Sequence, residues 1–438
     1  MQTAPKRVIN GWAMYDWANS VYNLVITTTF FPIYFTAVTK KTFGGDTIPF
    51  LGRTFVNSSL YDYTLAAAYL LVALSYPILT SIADTRGNKK NFMRTFCYLG
   101  AVGCSLIFFF NGSNLWLGVL AFMMASMGYV GSLVFYNAYL PEIAAPQDRD
   151  RVSAKGYSYG YIGSVLMQIL GFILVLLIKD DPFLGPRITF LLVGVWWIGF
   201  AQITFARLPK PAPVEAKRIN IFTEGFKEVR KVYNEVKKMP VLKRFLRGFF
   251  CYSMGVQTVM LAATLFGSKL LGLDDTKLII TVVIIQLVAI IGAIAMSRLS
   301  ERYGNLQVLM GVIIFWILIC FAAYFTAWYK EQGGNPEYHF YGLAVAVGVV
   351  MGGIQSLSRS TYSKLMPETK DTASYFSYYD ITEKIAIVIG IFTFGFIDEL
   401  TKDHGGMKNS VLSLIIFFVA GFILLYTALV KEKQLKHR

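Results

Sequence analysis

Of the 438 residues in this chain, 55% are hydrophobic and only 15% are charged, against about 25% charged in soluble domains. So little polar surface excludes an ordinary soluble fold, and the formal charge of +15 is better read as membrane orientation than as a footprint for a polyanion. Cys97, Cys104, Cys251 and Cys320 form no C-x-x-C, and His339, His404 and His437 are scattered in or beside connections. That argues against a disulfide framework, a zinc site or a histidine-based catalytic centre.

Apolar stretches of about 20 residues, the length that crosses a bilayer core, fill most of the chain. They fall at 21–38, 65–83, 96–111, 115–140, 162–178 and 188–206, and again at 245–271, 278–296, 308–328, 340–357, 381–397 and 411–430. Backbone polar groups in lipid must be satisfied within the element, so each stretch predicts a helix. The first is too long for a signal-peptide core and lacks an A-x-A site, so it is expected to remain as the first membrane helix.

The longest polar break, 208–243, opens with Pro209, Pro211 and Pro213, a semi-rigid spacer. Phe222, Phe226, Val229, Tyr233 and Val236 then recur at helical spacing. They predict an amphipathic helix around 219–239, lying on the inner membrane surface or against the bundle; a solvated charged linker is the alternative. Basic residues concentrate in alternate connections. Arg86, Lys89, Lys90, Arg94, Arg149, Arg151, Lys155 and a dense run over 207–247 lie on one side, with only scattered residues such as Lys40, Lys41, Arg53, Lys179 and Arg187 on the other. This bias places both termini in the cytoplasm.

The two sides of the break repeat one another. Asp84, Gly87 and Asn88 match Glu301, Gly304 and Asn305, and Leu140-Pro141-Glu142 matches Met366-Pro367-Glu368. The expected architecture is an all-α polytopic membrane protein with twelve transmembrane helices in two six-helix bundles. Residues 1–207 form the first bundle, 208–243 the cytoplasmic linker and 244–438 the second bundle, with a substrate site between them near the midplane.

Here the chain resembles the major facilitator superfamily. Asp84, Gly87 and Lys89 stand in its loop pattern between the second and third spans, while Thr80, Thr85 and Asn88 depart from it. Tyr15-Asp16-Trp17-Ala18-Asn19-Ser20, Leu140-Pro141-Glu142-Ile143 and the stretch from Gly352-Gly353-Ile354-Gln355 to Ser358-Arg359-Ser360 are similar to the branch containing the autophagy-related vacuolar amino-acid effluxers and their bacterial relatives. One departure is Ser374-Tyr375-Phe376-Ser377-Tyr378-Tyr379, where that branch usually has E-F-F-G-F-Y. The resemblance implies a solute permease in a bacterial cytoplasmic membrane. It also implies an inner gate in which the loop acid engages the start of the eleventh helix. Asp84 with Gly87 and Lys89, and Glu301 with Gly304, carry that role over, with Glu142, Arg149, Arg151 and Glu368 as partners.

Ionisable and amide groups inside spans are costly and mark functional candidates. Trp12, Asp16, Asn19, Asn23 and Thr27 share one face of a straight α-helix, which either lines a cavity or glues helices together. Gln355 and Arg359 are i, i+4, as are Asp380 and Lys384, with Glu383 above Tyr379. Asp380–Lys384 is either a structural pair or part of the site. Tyr136, Asn137, Gln168, Gln257 and Gln286 are helix–helix hydrogen bonds or ligand contacts. The candidate cavity is therefore Asp16, Asn19, Asn23, Tyr136, Asn137, Gln168, Gln257, Gln355, Arg359, Tyr379, Glu383 and Lys384. If a proton is coupled, Asp16 or Glu383 is the expected carrier.

No G-x-x-x-x-G-K-[ST] occurs, so no ATP-driven engine is expected, and no enzymatic centre assembles. The leading expectation is a monomeric secondary transporter of a small organic solute such as an amino acid. It would be coupled to a proton or other ion or driven by the solute's own gradient, with no cofactor and no nucleic-acid partner. A transporter-shaped receptor or scaffold is the alternative.

Overall fold

A computed structural model describes residues 2–209, 221–401 and 405–436. Pro211, Pro213, His404 and His437 lie outside them. The chain is nearly all helix. In order come α1 (Lys6–Phe43), α2 (Asn57–Arg86), α3 (Lys89–Ile107), α4 (Leu115–Ile143), α5 (Arg149–Leu177), α6 (Leu184–Arg207), α7 (Ile221–Lys238), α8 (Pro240–Leu265), α9 (Asp275–Tyr303), α10 (Asn305–Glu331), α11 (Glu337–Leu365), α12 (Thr372–Leu400) and α13 (Met407–Lys436).

Nine helices among the described residues are long and apolar enough to cross a membrane: α1, α2, α4, α5, α6, α9, α10, α11 and α13. The other long helices carry more ionisable groups. Lys89, Lys90 and Arg94 lie near the start of α3, Lys243, Arg244 and Arg247 near the start of α8, and Asp380, Glu383 and Lys384 within α12. Leu74, Leu177, Ile291, Phe392 and Ile416 are more than 60% exposed on the outer surface. Apolar area on that scale requires a lipid partner, and the protein is an integral, multi-pass membrane protein.

Among α1–α6, α3 packs on α4 and α6, and α1 on α5 and α6. Among α8–α13, α9 packs on α11, and α8 and α10 on α13. Close approach is set by glycine. A Cβ on Gly128 would lie 2.3 Å from the Gly100 Cα, and one on Gly352 would lie 2.1 Å from the Ala289 carbonyl oxygen. Without hydrocarbon–water transfer to drive helices together, such backbone contact supplies the dispersion that holds membrane helices. The two sets meet along a seam where α5 packs on α9 and α11, and α12 packs on α2 and α4.

Two features depart from the expectation. The outer connection after α1 is not helical but forms an antiparallel hairpin, β1 (Thr47–Phe50) with β2 (Arg53–Val56), pairing Thr47 with Val56 and Phe50 with Arg53. Leu51 and Gly52 both take positive φ, 53° and 73°, the two-residue turn whose twist matches paired strands. Second, α1 is not a straight α-helix, because Tyr22–Phe30 is a π-helical run.

The amphipathic helix is α7, and it lies against the bundle, resting on α2, α12 and α8. Val232 and Val236 are buried beneath it; the side chains of Phe222, Phe226 and Val229 lie outside the described residues. Lys231 binds Glu228 at 3.0 Å and Asp371, just before α12, at 2.7 Å. Partial burial acts to lower the Lys231 ammonium, but its hydrogen bonds to Asp371 and Glu228 outweigh that and raise it above the ordinary lysine range.

Candidate functional site

At the seam, Arg359 of α11 is 2% exposed and uses every face of its guanidinium. Both terminal nitrogens lie 3.4 Å from Asp16 Oδ2 of α1. Nε donates to Ser153 Oγ at 2.9 Å, Nη2 to the Ser153 carbonyl at 2.9 Å, and Nη1 to Asn137 Oδ1 at 3.3 Å. Tyr136 donates to the same Asp16 oxygen at 2.7 Å, and its ring stacks on Trp12 at 4.4 Å. The guanidinium also sits over the rings of Trp12, Tyr136 and Tyr157, at 4.9, 5.4 and 4.3 Å. A charge so far from water persists only when paired and fully hydrogen-bonded, and Arg suits this because its planar fork offers five donors. Arg359 pairs with Asp16, and Glu383 pairs with Lys384.

Gly156 of α5 makes room for this pair. A Cβ there would meet Asp16 Oδ2 at 2.5 Å and Arg359 Nη2 at 3.0 Å. Gly156→Ala is expected to cost about 1–3 kcal/mol by overpacking and to lower the melting temperature of the purified protein. A melt that coincides with wild type would show that the pair is looser than described.

A second pair lies beside the first. Lys384 binds Glu383 at 2.9 Å, and Gln257 of α8 donates to Glu383 at 3.1 Å. The expected Asp380–Lys384 contact is not formed, since Lys384 turns to its neighbour instead. Asp16, Asn137, Arg359, Tyr379, Asp380, Glu383 and Lys384 all line one cavity of about 70 Å³, together with Ser20, Tyr76, Tyr129, Leu133 and Tyr157.

Other candidates lie elsewhere. Asn19 and Asn23 do not line the cavity. The π run begins at Tyr22, and its wider turn breaks the 3.6-residue register that placed Asn23 and Thr27 on the Asp16 face. Asn19 is fully buried, and its side-chain nitrogen has no hydrogen-bond partner among the described residues. Gln168 bonds Thr29 at 3.2 Å and Gln286 at 2.9 Å, a cross-seam bond between α5 and α9. Gln355 accepts from Tyr161 at 2.8 Å.

A second constellation closes the end of the seam near α7. Asp84, at the end of α2, accepts from the backbone N–H groups of Ala373 and Ser374, at 3.2 and 2.8 Å, and from Ser374 Oγ at 2.8 Å. A carboxylate here meets the unpaired amides and positive dipole end of α12. Gly87, at φ 62°, ends α2 in the left-handed turn. Lys89 binds Glu142 and reaches Thr372 at 2.7 Å, and Thr372 donates to Glu142 at 2.6 Å. Ser374 stands where the resembling branch usually has an acid, and here it donates to Asp84 instead of repelling it.

The second half of the expected gate is built differently. Glu301, Gly304 and Glu368 are exposed. The acid at work is Asp150 of α5, fully buried, which binds Ser300 at 2.8 Å, Asn305 at 2.6 Å and Lys364 at 2.5 Å. Arg149 feels the charge of Glu368 but spends its hydrogen bonds on backbone. It donates to the carbonyls of Ala144, Pro141 and, across the seam, Ser363 at 2.5 Å. Arg151, itself exposed, pairs with half-buried Asp148 at 2.6 Å. Among the described residues no cluster of His, Cys, Asp and Glu could hold a metal ion.

The profile of the family described as "Vacuole effluxer Atg22 like" matches residues 4–437. The chain belongs to that family. The Bacillus subtilis protein described as "Uncharacterized MFS-type transporter YxiO" is 30% identical over 95% of this chain and 93% of its own length. Autophagy-related protein 22-1 of Phaeosphaeria nodorum is 25% identical over 91% of this chain and 86% of its own. Among solved structures, the human organic anion transporter MFSD10 superposes with a TM-score of 0.73 at 12% identity, covering 96% of this chain and 99% of its own. The transporter FucP in its outward conformation superposes at 0.67 and 14%, covering 96% and 98%. The fold is that of the major facilitator superfamily, and the chain is a transporter of that superfamily, not an enzyme.

Proposed function

We propose that the protein is a secondary transporter that moves a small organic solute, an amino acid being the best fit, by rocking two six-helix bundles about the cavity at their seam. In this reading α3, α8 and α12 also cross the membrane, giving twelve spans. Residues 1–207 and 244–438 are the bundles, 208–243 is a cytoplasmic linker, and both termini face the cytoplasm of a bacterial cell. The observation that carries the reading is the buried Asp16–Arg359 pair, which joins α1 to α11 across the seam and inside the cavity. A cavity of about 70 Å³ is far below the roughly 300 Å³ or more of ordinary ligand pockets, so in this reading admission of a solute requires the seam to open.

Charges of both signs amid tyrosine rings suit a zwitterion with an apolar side chain. The gate is the Asp84 and Lys89–Glu142–Thr372 constellation on one side of the seam and the Asp150 constellation on the other. In this reading the end of the seam that these contacts close faces the cytoplasm. Comparing metabolites of deletion and overexpressing cells tests the reading. Several-fold opposite changes in an amino-acid pool are expected, and unchanged pools in both strains would count against a solute of this class.

A further inference from the structure

The cavity holds three carboxylates, Asp16, Asp380 and Glu383, but only two cations, Arg359 and Lys384. Arg359 is matched to Asp16 and Lys384 to Glu383, which leaves Asp380. It is 4% exposed; Asn137 reaches its carboxyl group from α4, but its Oδ2 has no hydrogen-bond partner among the described residues. On α12 it is followed by Glu383 and Lys384. From the facing helices it meets Asp16, Tyr76, Tyr157 and Arg359 in the cavity wall, with Tyr362 near by. Neither cation is free to turn to it without breaking a pair.

We infer that Asp380 is the cation-binding site of the cavity and that its occupant in this closed form is a proton. A buried carboxylate with an unmatched charge and an unpaired oxygen is far from its lowest free energy. Binding H⁺ at Oδ2 removes the charge and leaves both existing ion pairs intact. A proton also needs no volume, which suits a cavity of only about 70 Å³. The inference rests on reading the cavity as the transport site and moves the carrier role from Asp16 and Glu383, which are already paired, to Asp380. When the seam opens on either side, water reaches Oδ2 and the proton is exchanged there.

Infrared spectra of the purified protein in lipid, titrated from about pH 5 to about pH 9, read this without any solute. The wild type is expected to show a carbonyl band of a protonated buried carboxylic acid. The band is lost in Asp380→Asn, kept in Glu331→Gln, whose acid lies far from the cavity, and shifted but kept in Asp380→Glu. Absence of the band in wild type overturns the proposal, as does its full survival in Asp380→Asn. Should Asp380→Asn fail to fold, the Asp380→Glu spectrum decides, because an unshifted band would assign the proton elsewhere. Replacing sodium chloride by choline chloride is expected to leave the titration unchanged, and loss of the band in sodium alone would make the occupant sodium. These results do not depend on transport, so their failure leaves the transporter reading standing, and a failed transport assay leaves Asp380 as assigned.

Discussion

Arg359→Ala is expected to destabilise the protein by about 3–5 kcal/mol, the range for breaking a buried ion pair by removing one partner. The variant strands Asp16, which is 5% exposed, with Tyr136 as its remaining hydrogen-bond donor, and it takes the Arg359 bonds away from Ser153 and Asn137. Loss of the rings' cation contacts adds to the effect. The measurement is the thermal melt of the detergent-purified protein. Asp16→Asn/Arg359→Gln removes both charges together and is expected to recover most of the stability, while leaving the cavity without its cross-seam lock. If Arg359→Ala melts with the wild type, the pair is not the structural centre of the seam. If the double variant is as unstable as the single one, the cost lies in packing and not in stranded charge.

Asp84→Asn is expected to open the cytoplasmic side. In the closed form Asp84 is an acceptor at the start of α12, served by two backbone amides and a hydroxyl, with Lys89 near by. An amide keeps one acceptor oxygen and loses the charge that favours the helix N-terminus. Charge-assisted bonds are worth about 1.5–3 kcal/mol each, so losing one shifts the closed-to-open equilibrium by about 10-fold or more. A cysteine at Ser20, which lines the cavity, reports the change through an impermeant maleimide added from the cytoplasmic side. Faster labelling in Asp84→Asn is expected. An unchanged rate means that Asp84 does not hold the gate.

The membrane class, the helix positions and the family were legible in the sequence because each depends on local composition or on motifs. The seam was legible only in part. Asp16, Asn137, Arg359, Tyr379, Glu383 and Lys384 stood out because polar groups are rare in apolar stretches, and all six line the cavity. Tyr76 and Tyr129 carry no such signal, since a tyrosine suits a membrane helix wherever its hydroxyl finds a carbonyl, as Tyr76 does at Val130. Asn23 was misplaced by extrapolating one helical period through a segment that is π-helical, a change no pattern of polar residues announces. The internal repeat aligns Glu301 with Asp84, but that position is solvent-exposed, and the acid that binds the loop is Asp150 of α5, which no repeat marks. The Asp380–Lys384 spacing suited a helix pair, yet spacing cannot show that Lys384 prefers Glu383, the residue next to it.

The central claim is that a solute crosses the membrane through this seam. Counterflow in proteoliposomes tests it most directly. Vesicles loaded with a concentrated unlabelled amino-acid mixture are diluted into buffer that carries only a trace of the radiolabelled mixture. Wild-type protein is expected to draw in label transiently above its outside concentration, and Asp16→Asn/Arg359→Gln is expected to match empty vesicles. Wild-type vesicles that take up no more label than empty ones, while the protein still binds the mixture, would contradict transport and make the chain a receptor.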